Sequence, residues 1–125
     1  WCGPCKMEYP HLSKMVNRLQ SNAQFRFVSV SCESGRGETF EGLRSKTIAY
    51  YASEGIESSA YPDPQGITRR SAAERLERNA MFYPTSILIG VDGRIACVWE
   101  GYTRESVGQM ESLIETLLAS RVTES

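Results

Sequence analysis

The apolar positions change period several times along the chain, and each change marks an element. Leu12, Met15, Val16 and Leu19 recur at helical spacing and predict one helix from Cys2 to about Gln20. Pro10 lies inside it and removes one backbone bond, so a kink is expected there. Ser21 to Gln24 reads as the turn out. Phe25 to Cys32 is rich in β-branched and aromatic residues and predicts a strand. Glu33 to Gly37 is loop, and Phe40, Leu43, Thr47 and Tyr50 or Tyr51 then space as a helix face closed by Gly55. Ile56 to Tyr61 is a weak strand. Asp63-Pro64-Gln65-Gly66 has type I turn chemistry, with Asp first, Pro second and Gly fourth. A polar helix follows from Ile67 to about Asn79, with Ala72, Ala73 and Leu76 inward.

The last third reads as a hairpin and a helix. Ser86 to Val91 and Arg94 to Trp99 are strands about the two-residue turn Asp92-Gly93, with Ile95, Cys97 and Trp99 on one face. Thr103 is expected to cap a helix whose Val107, Met110, Leu113, Ile114, Leu117 and Leu118 repeat at i, i+3, i+4 and i+7. Val122 to Ser125 reads as a frayed end. Strands alternating with helices predict an α/β fold, and by the βαβ rule the strand after the first helix should lie parallel to one before it. There are no internal repeats and no low-complexity tract.

Composition narrows the field. The chain has 125 residues, enough for one domain with a core, so residues 1–125 are taken as a single domain. Charges nearly cancel, at 14 Lys+Arg against 15 Asp+Glu, and no basic block points to nucleic acid. No apolar run approaches the ~18 residues of a membrane span. Four cysteines are no disulfide framework for a chain this size, and the close pair reads as catalytic in any compartment.

That pair stands in Trp1-Cys2-Gly3-Pro4-Cys5. Cys2 falls at or just before the predicted helix N-terminus, with Pro4 in the first turn where its missing N–H costs nothing. Free N–H groups and the helix dipole favour an anion there, and such placement lowers a thiol pKa from about 8.5 towards roughly 3.5–7.5. Cys2 is therefore the candidate nucleophile. Cys5, one turn in and expected to be more covered, is the candidate resolving thiol. Half of a zinc site is the other reading of a close Cys pair. A structural zinc site needs four ligands, but Cys32 and Cys97 stand alone and His11 is the only histidine, so no metal is expected. Trp1 abuts the nucleophile and is expected to cover the site and offer substrate a flat apolar contact, a role compatible with core packing.

WCGPC is the motif of thioredoxin-like proteins, and the run WCGPCKMEYPHL resembles the bacterial TlpA/ResA branch of thiol–disulfide oxidoreductases. Asp63-Pro64-Gln65-Gly66, Tyr83-Pro84-Thr85 and SILIGVDGRIACVWEGY from Ser86 to Tyr102 extend the resemblance to about Leu118. It implies a thioredoxin-like mixed sheet flanked by helices, with a helix–strand–helix segment at about residues 37–79. It also implies a hydrophobic strand directly before Trp1, in the sheet interior. The expectation is therefore a chain incomplete at its N-terminus, with any signal peptide or membrane anchor in the missing segment.

By the same resemblance, the activity is reduction of protein disulfides outside the cytoplasm, in the bacterial periplasm or its equivalent. An upstream thiol donor is implied and no cofactor. The Tyr83–Pro84 bond is expected to be cis and to lie against the sulfurs, presenting the backbone of Tyr83 to substrate; read alone, Pro84 is simple punctuation at a strand start. Glu8 shares a helix face with Cys5 at i+3. A partly buried carboxylate there has a raised pKa and can exchange a proton with Cys5. Composition favours a solvated surface Glu; the matching Glu of TlpA/ResA-like proteins favours the catalytic role. Cys32 and Cys97 read as buried packing thiols, with Cys32 near enough to the active edge to exchange with the pair, and His11 as a surface residue. Two further function classes stay open: a redox-silent binding or assembly module that retains the motif, and a thiol peroxidase, against which Cys2 lacks a Thr/Ser-x-x-Cys loop.

Overall fold

The computed structural model describes residues 2–32, 37, 39–55 and 60–124, the last four of these as backbone only. Eight elements follow in order among them: α1 (Gly3–Leu19), β1 (Ser29–Cys32), α2 (Phe40–Ser53), β2 (Ala60–Asp63), α3 (Ile67–Arg75), β3 (Thr85–Ile89), β4 (Ile95–Glu100) and α4 (Ser106–Glu124). Parallel and antiparallel pairing both occur, as a mixed sheet requires, but the strands bond as two separate pairs: β1 with β2 in parallel, β3 with β4 antiparallel. The chain divides into two compact units, one of Trp1–Cys2 with Phe27–Met81, the other of Gly3–Arg26 with Phe82–Ser125.

In the first unit α2 covers the parallel pair. Thr39 caps α2, its side chain accepting from the Gly42 N–H at 3.0 Å, and Gly55 follows the C-cap at φ 66°, a conformation glycine reaches without strain. Leu43, Thr47 and Tyr51 are buried as the spacing predicts, but Phe40, which opens the helix, is half exposed. The Thr47 hydroxyl meets that of Ser31, and Tyr51 OH meets Ser29 Oγ at 2.9 Å, so polar bridges tie α2 to β1. The expected strand from Phe25 is shorter. Phe25 to Val28 keep the alternating burial of a strand, yet the ladder begins only at Ser29, opposite Ala60. Of the weak strand expected at Ile56 to Tyr61, residues 56–59 lie outside the described residues, and the described part continues through Pro62 to Asp63.

Asp63 joins this pair to α3. Its carbonyl accepts from Gly66 N–H at 3.2 Å, closing the expected turn. Its buried carboxylate accepts from the Thr68 and Arg69 N–H groups at 3.2 and 3.0 Å. The helix cap thus comes from Asp63, because Gly66 at the N-cap has no side chain to offer. Asp63→Ala would strand both donors and is expected to cost about 1–2 kcal/mol, with Asp63→Asn intermediate, read as a shifted urea midpoint. The helix expected to reach Asn79 ends at Arg75. Glu77 takes φ 56°, its N–H bonds to Glu74 O and the Arg78 N–H to Ala73 O, a Schellman ending with Glu where Gly is usual.

In the second unit α1 runs unbroken through Pro10 and packs on α4. Leu12, Met15, Val16 and Leu19 are buried from one helix, Val107, Met110 and Ile114 from the other. Ordinary burial of such side chains contributes about 1.5–3 kcal/mol each. The β3–β4 loop has three residues rather than two. Gly90 and Arg94 pair at its base, Gly90 O accepts from Gly93 N–H, and Gly93 takes φ 81°. A bulge near Ile89 sets Ala96 outside the pairing, so Ile95 leaves the face of Cys97 and Trp99 and is exposed. At the start of α4 it is the Ser106 side chain, not the expected Thr103 side chain, that bonds: Thr103 N–H donates to Ser106 Oγ, and the Ser106 hydroxyl donates to Thr103 O at 2.8 Å. The helix continues to Glu124, through most of the expected fray.

Candidate active site

The start of α1 carries the chemistry. Cys2 stands immediately before the first helical residue and Pro4 is second in the helix. Cys2 and Cys5 are joined as a disulfide. Gly3 and Pro4 between them are exposed, and both cysteines are half-buried.

One turn further on the environment changes. Glu8 falls on the stripe that continues through Leu12, Met15 and Val16, and it is buried with only 3% of its surface exposed. Its Oε2 has no hydrogen-bond partner among the described residues. A carboxylate removed from water with no donor facing that oxygen is disfavoured as an anion. Burial therefore pushes the Glu8 carboxyl up from its ordinary 4.5 to about 7. A group that titrates near neutrality can both take and return a proton under working conditions. Cys5 lies three residues before it on the same helix, so the acid sits on the dithiol's side of α1.

The Tyr83–Pro84 bond is cis, as expected. Pro84 precedes β3 and is half-buried, while Tyr83 is 40% exposed and Phe82 beside it 65%. Pro84 O accepts from Gly101 N–H at 2.7 Å, and the Thr85 hydroxyl donates to Phe82 O, so one backbone bond and one side-chain bond hold this corner. Trp1 lies outside the described residues. Neither Cys32 nor Cys97 is part of a disulfide, and both are half-buried rather than buried. Among the described residues no three His, Cys, Asp or Glu side chains gather as metal ligands, and no helix is long and apolar enough to cross a membrane. His11 is exposed as expected, but its ring stacks on Tyr102, which the sequence reading did not anticipate. The helical spacing of His11, Lys14 and Arg18 was the available signal.

No family model and no curated protein matches the chain. Among solved structures it is similar to a candidate thiol:disulfide interchange protein, DsbE, from Chlorobium tepidum. The TM-score is 0.72 at 24% sequence identity, over 94% of this chain and 73% of that one. The likeness defines the fold as the thioredoxin-like α/β fold.

Proposed function

We propose that this chain is a thiol–disulfide oxidoreductase that reduces disulfides of protein substrates. The observation that carries the reading is the Cys2–Cys5 disulfide at the head of α1 with a buried, titratable Glu8 one turn behind it. In the reduced protein the Cys2 thiolate attacks one sulfur of a substrate disulfide. A Cys2–substrate bond forms and the other substrate sulfur leaves as thiolate, taking up a proton from water. Glu8, as carboxylate, accepts the proton of the Cys5 thiol. The Cys5 sulfur attacks Cys2, the Cys2–substrate bond breaks, and the Cys2–Cys5 disulfide closes. Glu8 returns its proton to the departing sulfur. The substrate gains two electrons and two protons; the pair supplies both electrons and the Cys5 proton, water supplies the other proton, and the pair is restored by an upstream dithiol of a partner protein.

Two features support the direction and the setting. Gly-Pro between the cysteines resembles the reducing members of the superfamily. The resemblance to TlpA/ResA-type proteins supports an extracytoplasmic site of action, with Tyr83, the cis Pro84 and Trp1 as the substrate-facing surface.

Equilibration of the protein in graded thiol buffers, followed by alkylation and mass counting of free thiols, tests the reading. A potential near the thioredoxin value of about −270 mV is expected. A potential near about −120 mV would reverse the direction, to an oxidase. A pair that never exchanges with the buffer would sink the catalytic reading and leave a redox-silent binding module.

A further inference from the structure

Beside the exposed turn of the dithiol stands an apolar side chain that the chemistry above does not use. Met7 is 63% exposed, whereas Met15 and Met110 are buried and Met81 is half-buried. At about 100° per residue, Cys5 and Glu8 lie about 60° apart, on the side of α1 that continues into the buried stripe. Met7 lies on the other side, about 40° round the helix from Gly3 and about 60° from Pro4. Gly3 and Pro4 are both exposed, and a Cβ placed on Gly3 would meet no described atom within 4 Å. Met7 stands one turn, or about 6 Å, further along the axis than Gly3. Helical side chains lean towards the N-terminus, so Met7 leans back over this turn. The outer face is thus open at Gly3 and bounded by the apolar groups of Pro4 and Met7.

The dithiol decides what meets that face. A disulfide that exchanges with Cys2 arrives with the chain on either side of its own cysteine. Glu8 and the stripe behind it close the inner side of the turn, which leaves the exposed side, over Gly3 and Pro4, for that chain. Extended chain advances about 3.3 Å per residue, so a residue one or two positions from the substrate cysteine spans the distance from Gly3 to Met7. The first turn carries no acidic residue. Its neighbouring charge on the helix is Lys6, about 60° from Gly3 on the other side, exposed and already engaged in an interaction of its own. An added carboxylate gains little from such an ammonium. An aliphatic side chain instead removes its own surface and that of Met7 and Pro4 from water, and an unbranched thioether adapts to differing partners.

We propose that Met7 sets a preference for protein disulfides whose cysteine has an aliphatic neighbour within two residues, received against Met7 and Pro4 on the exposed face of the turn. The inference rests on the oxidoreductase reading above. Its test takes the whole protein with the pair pre-reduced and follows oxidation of the pair by alkylation and mass counting. The substrates are symmetric disulfide dimers of Gly-Xaa-Cys-Xaa-Gly, with Leu, Ser, Glu or Lys as Xaa, and hydroxyethyl disulfide. The Leu dimer is expected to react about three- to tenfold faster than the Ser dimer, and the Glu dimer no faster than the Ser dimer. Met7→Gln keeps length and helix propensity and should bring the Leu-to-Ser ratio close to one; Met7→Leu should restore it. Val91→Ser, an exposed apolar position at the end of the β3–β4 hairpin away from Pro84, should keep the wild-type ratio. Equal wild-type rates on all the dimers, or a Leu preference that survives Met7→Gln, overturn the role of Met7 and leave the oxidoreductase reading in place. A Glu dimer that outruns the Leu dimer overturns it as well and gives the selection to charge. A reduced pair that reacts neither with the dimers nor with hydroxyethyl disulfide overturns the oxidoreductase reading itself, and this inference with it.

Discussion

Cys5→Ala is expected to convert a turnover enzyme into a trap. Cys2 keeps its place ahead of α1 and can still open a substrate disulfide, but no second sulfur remains to release the adduct. Release then depends on thiols in solution. An intramolecular thiol acts at an effective concentration far above the millimolar thiol of an assay buffer, so turnover should fall roughly a thousandfold or more. With an insulin-like disulfide substrate, non-reducing electrophoresis and mass spectrometry should show one covalent adduct per chain, cleared by added thiol. Cys2→Ser should form no such adduct and show no turnover. Equal trapping by both variants would remove the assignment of nucleophile and resolving thiol, and adducts through Cys32 or Cys97 would replace it.

Glu8→Gln is expected to change rate and stability in opposite directions. The amide keeps the shape of the buried side chain but cannot take a proton from Cys5. The resolving step should slow by about a hundredfold, the low end of general acid–base contributions. The wild-type rate should rise with pH through about 7, where the carboxylate forms, and the variant should lose that inflection. For stability, the folded protein keeps the Glu8 proton to about pH 7 while the unfolded chain releases it near 4.5. Between these values the unfolded state binds fewer protons, so wild-type stability falls as pH rises, by up to about 1.4 kcal/mol per unit. The variant has no such group. It should match the wild type near pH 4 and exceed it by about 2–3 kcal/mol at pH 8, read by urea unfolding of the oxidised protein. Parallel stability curves for the two proteins across that range would show that Glu8 is solvated after all.

The parts of this structure legible in advance are those where one local rule acts alone. The α1 stripe, the α2 face from Leu43 to Tyr51, the turn at Asp63 and the hairpin at Gly93 follow from spacing and turn chemistry. The cis bond at Pro84 was legible only through resemblance, because nothing local distinguishes it from an ordinary strand start. What escaped depends on partners. The ladder of β1 covers only Ser29 to Cys32, a fact of pairing with β2 that Phe25 and Phe27 do not announce. The end of α3 lies at Glu77 in the left-handed region, where no glycine announces it. The face of Ile95 changes because of a bulge whose extra residue, Ala96, looks like any other strand residue. At the site, the position of Glu8 was readable from the helix period. Its isolation from hydrogen-bond donors was not, since that depends on what the rest of the chain leaves around it.

The division of the chain into one unit that, apart from Trp1–Cys2, is a single run and another made of two long pieces sets an order of events during synthesis. Phe27 to Met81 is contiguous, so β1, α2, β2 and α3 can assemble as they emerge. Helix α1 is translated before them, yet β3, β4 and α4, the rest of its own unit, come after. At about 5–20 residues per second, the roughly 80 residues between Arg26 and the start of α4 leave α1 waiting for its partner helix for some 4–16 seconds. Both thiols of the motif are then uncovered, and Cys32 leaves the ribosome within the same interval. An oxidising compartment entered during that wait would meet three competing thiols on an unfinished chain, so faithful pairing of Cys2 with Cys5 rests on their closeness in sequence and not on the finished fold.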